Sequence, residues 1–385
     1  MGASSAAAIG APTVVVGGMV AGTPGQGGAA WAVLQYLLGL RRLGCDVYLI
    51  EPVDAVEVPA EAAEYCARTM RRFGFDRQWA LVPRLPGEPV GLTRSAIRSV
   101  AARTDILLNI SGMLSDADLL EHIAVRAFVD LDPVFNQLWH QAEGVDMRLD
   151  AHSHFVTVAD AIGREDGPIP DCGRDWLPTL PPVVLEEWPL ARRLERRAVT
   201  TVGHWRSYGS IHHGGVQYGQ KAHSLRPLIG LPRRTSVRFE LAIGIHPDEV
   251  DDLAALRSNG WTLLDPALAT STPDEYRRFV QGSWAEFGVA KSGYVEADSG
   301  WFSDRSACYL ASGRPVIAQD TGFGRRLPTD AGLFAFSTGE DVLSALEELD
   351  RDYDSHREAA RSVAEDHLGS DLVLGSLLEL SLIHI

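Results

Sequence analysis

The chain has 385 residues, 45% of them hydrophobic and 22% charged, which suits two α/β domains with full cores and excludes a disordered chain. Its formal charge of −16 argues against a nucleic-acid partner, because a broad phosphate-binding face needs an excess of Lys and Arg, so any phosphate site should be local. Four scattered cysteines (Cys45, Cys66, Cys172, Cys308) offer neither a disulfide framework nor metal-ligand spacing, which fits a reducing cytoplasm, and no apolar window is long enough for a membrane span.

Pro12 precedes Thr-Val-Val-Val-Gly-Gly, a β-branched run that predicts a buried parallel strand behind a short tail; no basic stretch opens the chain as a signal peptide would. The Gly-rich stretch Gly22 to Gly28 leads into a helix over 29–43, where Trp31, Leu34, Leu37, Leu38 and Leu40 make one apolar face. Gly44 stops this helix and a strand at 47–50 completes a βαβ unit. Further strands are expected at 106–110, 127–131 and 155–158. The Pro-rich passage 168–189, with Pro178, Pro181 and Pro182, reads as an irregular linker. Domains are therefore expected at 1–180 and 181–385. The second half restarts the alternation with strands at 199–202 and 238–245, a helix at 247–259, a strand at 262–264, a helix at 273–287 and a strand at 289–294. A helix at 303–312, strands at 315–318 and 333–336, and helices at 339–350 and 356–367 close it; the final Ser381 to Ile385 receives no role.

The most informative stretch runs from Gly300 to Gly322: Gly-Trp-Phe-Ser-Asp-Arg-Ser-Ala-Cys-Tyr-Leu-Ala-Ser-Gly-Arg-Pro-Val-Ile-Ala-Gln-Asp-Thr-Gly. A helix ending in Leu-Ala-Ser-Gly, then Arg-Pro-Val-Ile-Ala and Asp-Thr-Gly, resembles the nucleotide-sugar signature of GT-B glycosyltransferases of the group 1 kind. The resemblance implies an α/β fold of two doubly wound Rossmann-like domains facing a cleft, the first taking the acceptor and the second the donor. Ser303 is the expected N-cap, and the free N-H groups of its helix suit a diphosphate. Ser303, Asp304, Arg305, Ser306, Asp320, Thr321, Gly322 and Lys291 are then the donor-site candidates. One departure stands out: Cys308 occupies the place where many members carry a ribose-binding Glu, and Asp304, one turn earlier on the same face, is the substitute on offer. Arg206 and Lys221, after the first strand of the second half, loosely fit the basic pair that neutralises the departing diphosphate.

On the acceptor side, Asp130 and Asp132 close a predicted strand, and His152 and His154 precede the next; Asp132 and His154 are the candidate bases. His140 is less placeable, and His212, His213 and His223 lack ligand spacing, so no metal is expected. The loop residues Gly18, Gly25, Gln26, Gly27 and Gly28 are expected to approach a ligand closely. Glu51 follows the second strand, where a dinucleotide enzyme carries its ribose-binding acid, but the Gly spacing of that fingerprint is missing. The resulting expectation is a cytoplasmic, metal-independent hexosyltransferase-like enzyme with no cofactor beyond its nucleotide-diphosphate sugar co-substrate. Its acceptor would be a small molecule or glycan. A nucleotide-sugar epimerase of the same fold and a non-catalytic binding protein remain the alternatives.

Overall fold

In the computed structural model, which describes residues 11–165 and 167–382, the run after Pro12 forms β1 (Thr13–Gly17), buried throughout as a strand covered on both faces must be. It is joined by β2 (Asp46–Val53), β3 (Trp79–Pro83), β4 (Val90–Gly91), β5 (Ile106–Ile110), β6 (Val125–Asp130), β7 (His154–Thr157) and β8 (Trp176–Pro178). The order is β4-β3-β2-β1-β5-β6-β7-β8, with β4 alone antiparallel to its neighbour. Chain order reverses about β1, which opens a crevice at the carboxyl ends of the strands.

The second half begins with β9 (Ala198–His204) and a hairpin of β10 (Ile211–His213) and β11 (Val216–Tyr218). It continues with β12 (Arg238–Gly244), β13 (Thr262–Leu263), β14 (Ala285–Gly288), β15 (Val316–Gln319) and β16 (Leu333–Phe336). Apart from the hairpin these strands form a second, parallel sheet in the order β13-β12-β9-β14-β15-β16. Two separate doubly wound sheets are what the alternation of the sequence predicts. Residues 1–10 and the last three residues of the Ser381 to Ile385 stretch lie outside the described residues. Among the described residues no helix is long and apolar enough to cross a membrane.

Two local expectations need correction. The Pro-rich passage is not wholly irregular: Trp176–Pro178 pairs with β7 as an edge strand, where a missing N-H at Pro178 leaves no internal ladder broken. The helix expected over 273–287 ends at Gly282, and Ala285–Gly288 becomes β14. Tyr276, Val280, Trp284 and Phe287 continue an apolar helical spacing, but pairing of Glu286 to Gly288 with β15 overrides it. Lys291 consequently caps a short helix, Ser292–Glu296, instead of ending a strand.

One stripe of the Gly27–Arg42 helix joins the halves, with a contact at every fourth residue. The Gly27 amide donates to the Thr270 carbonyl at 2.8 Å, and a Cβ on Gly27 would lie 2.1 Å from the Thr272 carbonyl oxygen. Trp31 donates through Nε1 to the Pro273 carbonyl at 2.8 Å and packs on Trp188 at 4.9 Å between ring centroids. Gln35 donates to Cys308 Sγ at 3.6 Å and accepts from the Val184 amide at 2.8 Å. Gly39 admits the Ser370–Leu382 helix, since a Cβ there would lie 2.6 Å from Leu374 Cδ1. The last helix thus crosses back to the first half, and one hydrophobic core runs through both.

The end of β6 is held by Asp130, which has no exposed surface. Its carboxylate accepts from the Asp132 amide (3.0 Å), Asn136 Nδ2 (2.6 Å), Gln137 Nε2 (2.8 Å) and Thr157 Oγ1 (3.0 Å). Burial raises the carboxyl from its usual 3.8 to about 6 despite these bonds.

Two stability predictions follow from these contacts. Gly27→Ala should cost about 1–3 kcal/mol, because the new methyl meets backbone that cannot yield as a flexible side chain would. Gly209→Ala, with nothing near its Cβ, should melt with the parent, and equal melting of the two variants would remove this role for Gly27. A carboxyl held above its unfolded value binds its proton more tightly in the folded chain, so Asp130 should make stability fall as pH rises from about 4 to about 6. Denaturant melts over that range should show this fall in the parent and a flatter profile in Asp130→Asn.

Candidate functional site

The joining stripe brings the carboxyl ends of the two sheets face to face. Gln26 Oε1, on the loop after β1, meets His204 Nε2 at the end of β9, 3.2 Å away. Lys291 Nζ, after β14, donates to both carboxylate oxygens of Asp132, after β6, each at 2.9 Å. Arg325, beyond β15, pairs with Asp160, beyond β7, at 2.6 Å and also with Asp298 at 2.8 Å.

On the second sheet's side, Ser303 caps the Asp304–Ala311 helix, its hydroxyl accepting from the Arg305 amide at 3.2 Å. Arg305 donates to Glu286 at 2.5 Å and to the Val202 carbonyl at 3.1 Å. Burial works against its charge, but the neighbouring groups, Glu286 foremost among them, together more than offset this and the guanidinium stays protonated. Glu286 itself lies within β14 with no exposed surface, and its Oε2 has no hydrogen-bond partner. Beside this pair, Lys221 is only 8% exposed. Its ammonium donates to the Val289 carbonyl and has no carboxylate partner among the described residues. Burial, then the charge of Arg305, lowers Lys221 well below its ordinary value, with Glu286 opposing. His204 is lowered by burial and by the charges of Lys221 and Lys291. An acidic chain therefore gathers Lys221, Arg305, Lys291 and His204 at one sheet edge, next to a capped helix N-terminus. Such a group attracts a compact anion.

The other expected donor residues divide. Asp304 is exposed at the start of the helix, whereas Ser306 is buried. Asp320 accepts from the Gly322 amide at 2.8 Å in an Asx turn, and Thr321 donates to the Trp301 carbonyl at 2.5 Å. Gly322 has φ +87°, and a Cβ there would strike Arg325 and Asp298. These three shape the loop. Cys308 is buried and bonded to Gln35 across the junction. Lys221 and the Ser303 helix come together, but Arg206 is spent on Glu249, just before the Val250–Ser258 helix.

The acceptor-side candidates are placed differently from the sequence reading. His154 is the first residue of β7, opposite Ala127, while Thr157 lies opposite Asp130. At about 3.3 Å per residue it sits roughly 10 Å short of the carboxyl edge, and its Nδ1 is 2.9 Å from Ser153 Oγ. A residue that leads into a parallel strand stands at the amino edge of the sheet, so His154 lies at the wrong end of β7 for the cleft. His152 is bonded through Nδ1 to the Arg148 carbonyl (2.8 Å) and through Nε2 to Asn109 Nδ2 (3.0 Å). Asp132 does reach the cleft, but besides Lys291 it accepts from Tyr208 Oη at 2.5 Å and from Tyr294 Oη. It bridges the halves instead of standing as a free base.

In the first loop, Gly25 has φ +81° with nothing near its Cβ, a Cβ on Gly18 would meet Val33 at 3.1 Å, and one on Gly28 would meet Tyr276 at 2.8 Å. Gly27 and Gly28 thus admit the second half of the chain, not a ligand. Glu51 accepts from the amides of Val20 (2.7 Å), Ala21 (2.9 Å) and Gly22 (2.6 Å), which makes it the loop's anchor and unavailable to a ribose. The sequence reading missed Tyr208, Tyr294 and Glu286. Glu286 alone left a trace, a single acid inside Trp-Ala-Glu-Phe-Gly. Two surface hollows lie away from these strand ends, beside Glu240 and Asp265 (about 560 Å³) and beside Arg238 and Asp350 (about 630 Å³).

No protein-family model and no curated protein matches the chain. Solved structures match it over nearly its whole length. An alpha-glucosyltransferase in complex with UDP and a 13-mer DNA containing a central A:G mismatch gives a TM-score of 0.61 at 11% identity, covering 97% of this chain and 100% of that one. The alpha-glucosyltransferase AGT in complex with UDP gives 0.60 at 10% identity over 96% and 99%. Anabaena HepE in complex with UDP and glucose gives 0.57 at 11% identity over 96% and 99%. The DNA complex corrects the expectation that a nucleic-acid partner is excluded: a protein of this architecture is seen there with DNA. Matches of such length at such low identity establish architecture, and on them and its two facing sheets the chain has the GT-B fold.

Proposed function

We propose that the chain is a glycosyltransferase that moves a sugar from a nucleoside-diphosphate donor to an acceptor held between the two sheets. The observation that carries this reading is Lys221: a buried ammonium without a carboxylate partner, beside Arg305 and the capped start of the Asp304–Ala311 helix. Burying an uncompensated cation is costly unless a ligand supplies the opposite charge. A diphosphate does so, and it gains negative charge as the glycosidic bond breaks, so cations fixed in advance act more strongly in the transition state than on the bound donor.

In this reading the helix N-terminus and Lys221 perform the charge neutralisation for which other enzymes use a divalent cation, and the reaction is metal-independent. Asp304, exposed at the first turn, is the acid available to the ribose hydroxyls, since Cys308 is buried against Gln35. Domain roles follow the two sheets, residues 1–180 taking the acceptor and 181–385 the donor. A hexose is the sugar favoured by analogy with the complex of HepE with UDP and glucose.

Lys221→Met keeps the volume and removes the buried amine, so it should melt no lower than the parent. UDP should raise the parent's melting temperature and leave the variant's almost unchanged. Turnover, or hydrolysis of UDP-sugars, should fall by about 100-fold, the scale for losing one preorganised electrostatic donor. Full activity in Lys221→Met with every donor the parent accepts would defeat the proposal.

A second test uses the sign of the titration shift. Burial holds Lys221 below its ordinary value in the free protein, and a bound diphosphate raises it again, so binding should take up a proton. Calorimetry of UDP binding in buffers of different ionisation enthalpy should detect this at pH 8–9, above the second phosphate ionisation near about 6. The uptake should vanish in Lys221→Met, and binding without uptake in the parent would remove Lys221 from the phosphate site.

A further inference from the structure

Behind the joining stripe lies a hollow of about 560 Å³ where the first half, the inter-sheet connection and the second half meet. Five arginines line it, Arg72, Arg192, Arg193, Arg277 and Arg278, against two carboxylates, Asp274 and Glu195. This is a local excess of positive charge in a chain of net −16.

The arginines are not equivalent. Asp274 is shared by Arg72, in a two-pronged contact at 2.9 and 3.1 Å, and by Arg277 at 2.8 Å; Arg277 also pairs with Glu187 at 2.9 Å. These bonds fix two guanidiniums in the wall. Arg192, Arg193 and Arg278 are exposed and have no ion-pair partner among the described residues. Their backbone is nevertheless held: the Arg193 carbonyl accepts from Arg314 at 2.7 Å, the Ala191 amide donates to the Ser312 carbonyl at 2.9 Å, and Arg278 rides on the Pro273–Gly282 helix.

We propose that this hollow is a second anion site, separate from the cleft, that binds a compact polyphosphate group of the pyrophosphate class. Its volume is that of a small-molecule site. Guanidinium forks match phosphate oxygens two at a time, and several forks around one concavity favour a ligand with clustered charges over single monovalent ions. The three unpaired guanidiniums come from the inter-sheet connection and the Pro273–Gly282 helix, beside Arg72 of the first half, which Asp274 already holds.

The test is calorimetric titration of inorganic pyrophosphate into the whole chain, the triple variant Arg192→Ser/Arg193→Ser/Arg278→Ser, and Lys221→Met. The three arginines are exposed and unpaired, so the triple variant should fold and melt near the parent. Its affinity for pyrophosphate should be at least about tenfold weaker, the equivalent of one lost charge-assisted hydrogen bond. Lys221→Met, altered only at the cleft, should keep the hollow's binding. Equal affinity in parent and triple variant would overturn the proposal, as would binding lost in Lys221→Met alone, which would assign pyrophosphate to the cleft. Sedimentation with anionic phospholipid vesicles and a short DNA duplex supplies the remaining arms. Arginine-dependent binding to either of these without binding of free pyrophosphate would also overturn the compact-ligand assignment.

Discussion

The approach of one helix to backbone, with no side chain between them, sets the geometry on which the rest of the molecule depends. At Gly27 the Gly27–Arg42 helix meets the carbonyls of Thr270 and Thr272, and even a methyl group would push it off. From that point each successive turn, at Trp31, Gln35 and Gly39, finds a partner in the second half or in the returning C-terminal helix. Residues four apart lie on one face of a helix, so a single stripe fixes how the sheets are set against each other. The facing carboxyl edges are the consequence, and with them the meeting of Gln26 with His204 and of Asp132 with Lys291.

Parallel sheets concentrate helix N-termini at their carboxyl edges, and in the second sheet that edge also carries basic side chains. Arg305 is rendered tolerable in its buried position by Glu286, a carboxylate within a strand. The pair is not symmetric, because Glu286 leaves one oxygen unpartnered while Arg305 also donates to a carbonyl. Lys221 has only a carbonyl, and burial together with the charge of Arg305 lowers its proton affinity, with Glu286 opposing. A fold at ease with its own charges would have no such imbalance; here it lies where the strand ends of the two halves face one another.

Much of the fold was legible because its signals are local. The β-branched run at Thr13 to Val16, the stop at Gly44, and Leu-Ala-Ser-Gly followed by Arg-Pro-Val-Ile each encode an element within a few residues. The same locality explains Ser303, whose capping role needs only its own helix. What escaped is what depends on distant partners. Gly27, Trp31, Gln35 and Gly39 share no hydrophobic type, so their stripe does not read as a face. Tyr208 and Tyr294 matter only because Asp132, far off in sequence, lies between them. Arg206 and Lys221 look alike as basic residues after a strand; Glu249 draws one aside and burial isolates the other. His154 failed because it leads into its strand: in a parallel sheet such residues gather at the amino edge, and those that follow a strand reach the cleft.

The two kinds of contact between the halves also differ in what it takes to separate them. Along the stripe, separation exposes Trp31, Trp188 and Tyr276, all nearly fully buried, and each large side chain returned to water costs on the order of 2 kcal/mol or more. At the strand ends the contact is charged: Arg325 with Asp160, 34% and 13% exposed, and on separation Arg325 keeps Asp298 of its own half as a partner, which lowers the cost of parting the pair. Movement that admits a ligand is therefore cheapest as a rotation about the stripe, with the strand ends parting. The firmest cleft-side contact is Asp132 with Lys291, 24% and 18% exposed, the ammonium lying 4.3 Å from the Tyr208 ring centroid. While the halves are closed, both Asp132 oxygens accept from the Lys291 ammonium, and they also accept from Tyr208 and Tyr294, so the carboxylate is fully engaged by protein donors. Opening frees Asp132 only by parting the two sheets, so this residue ties the halves together at their strand ends.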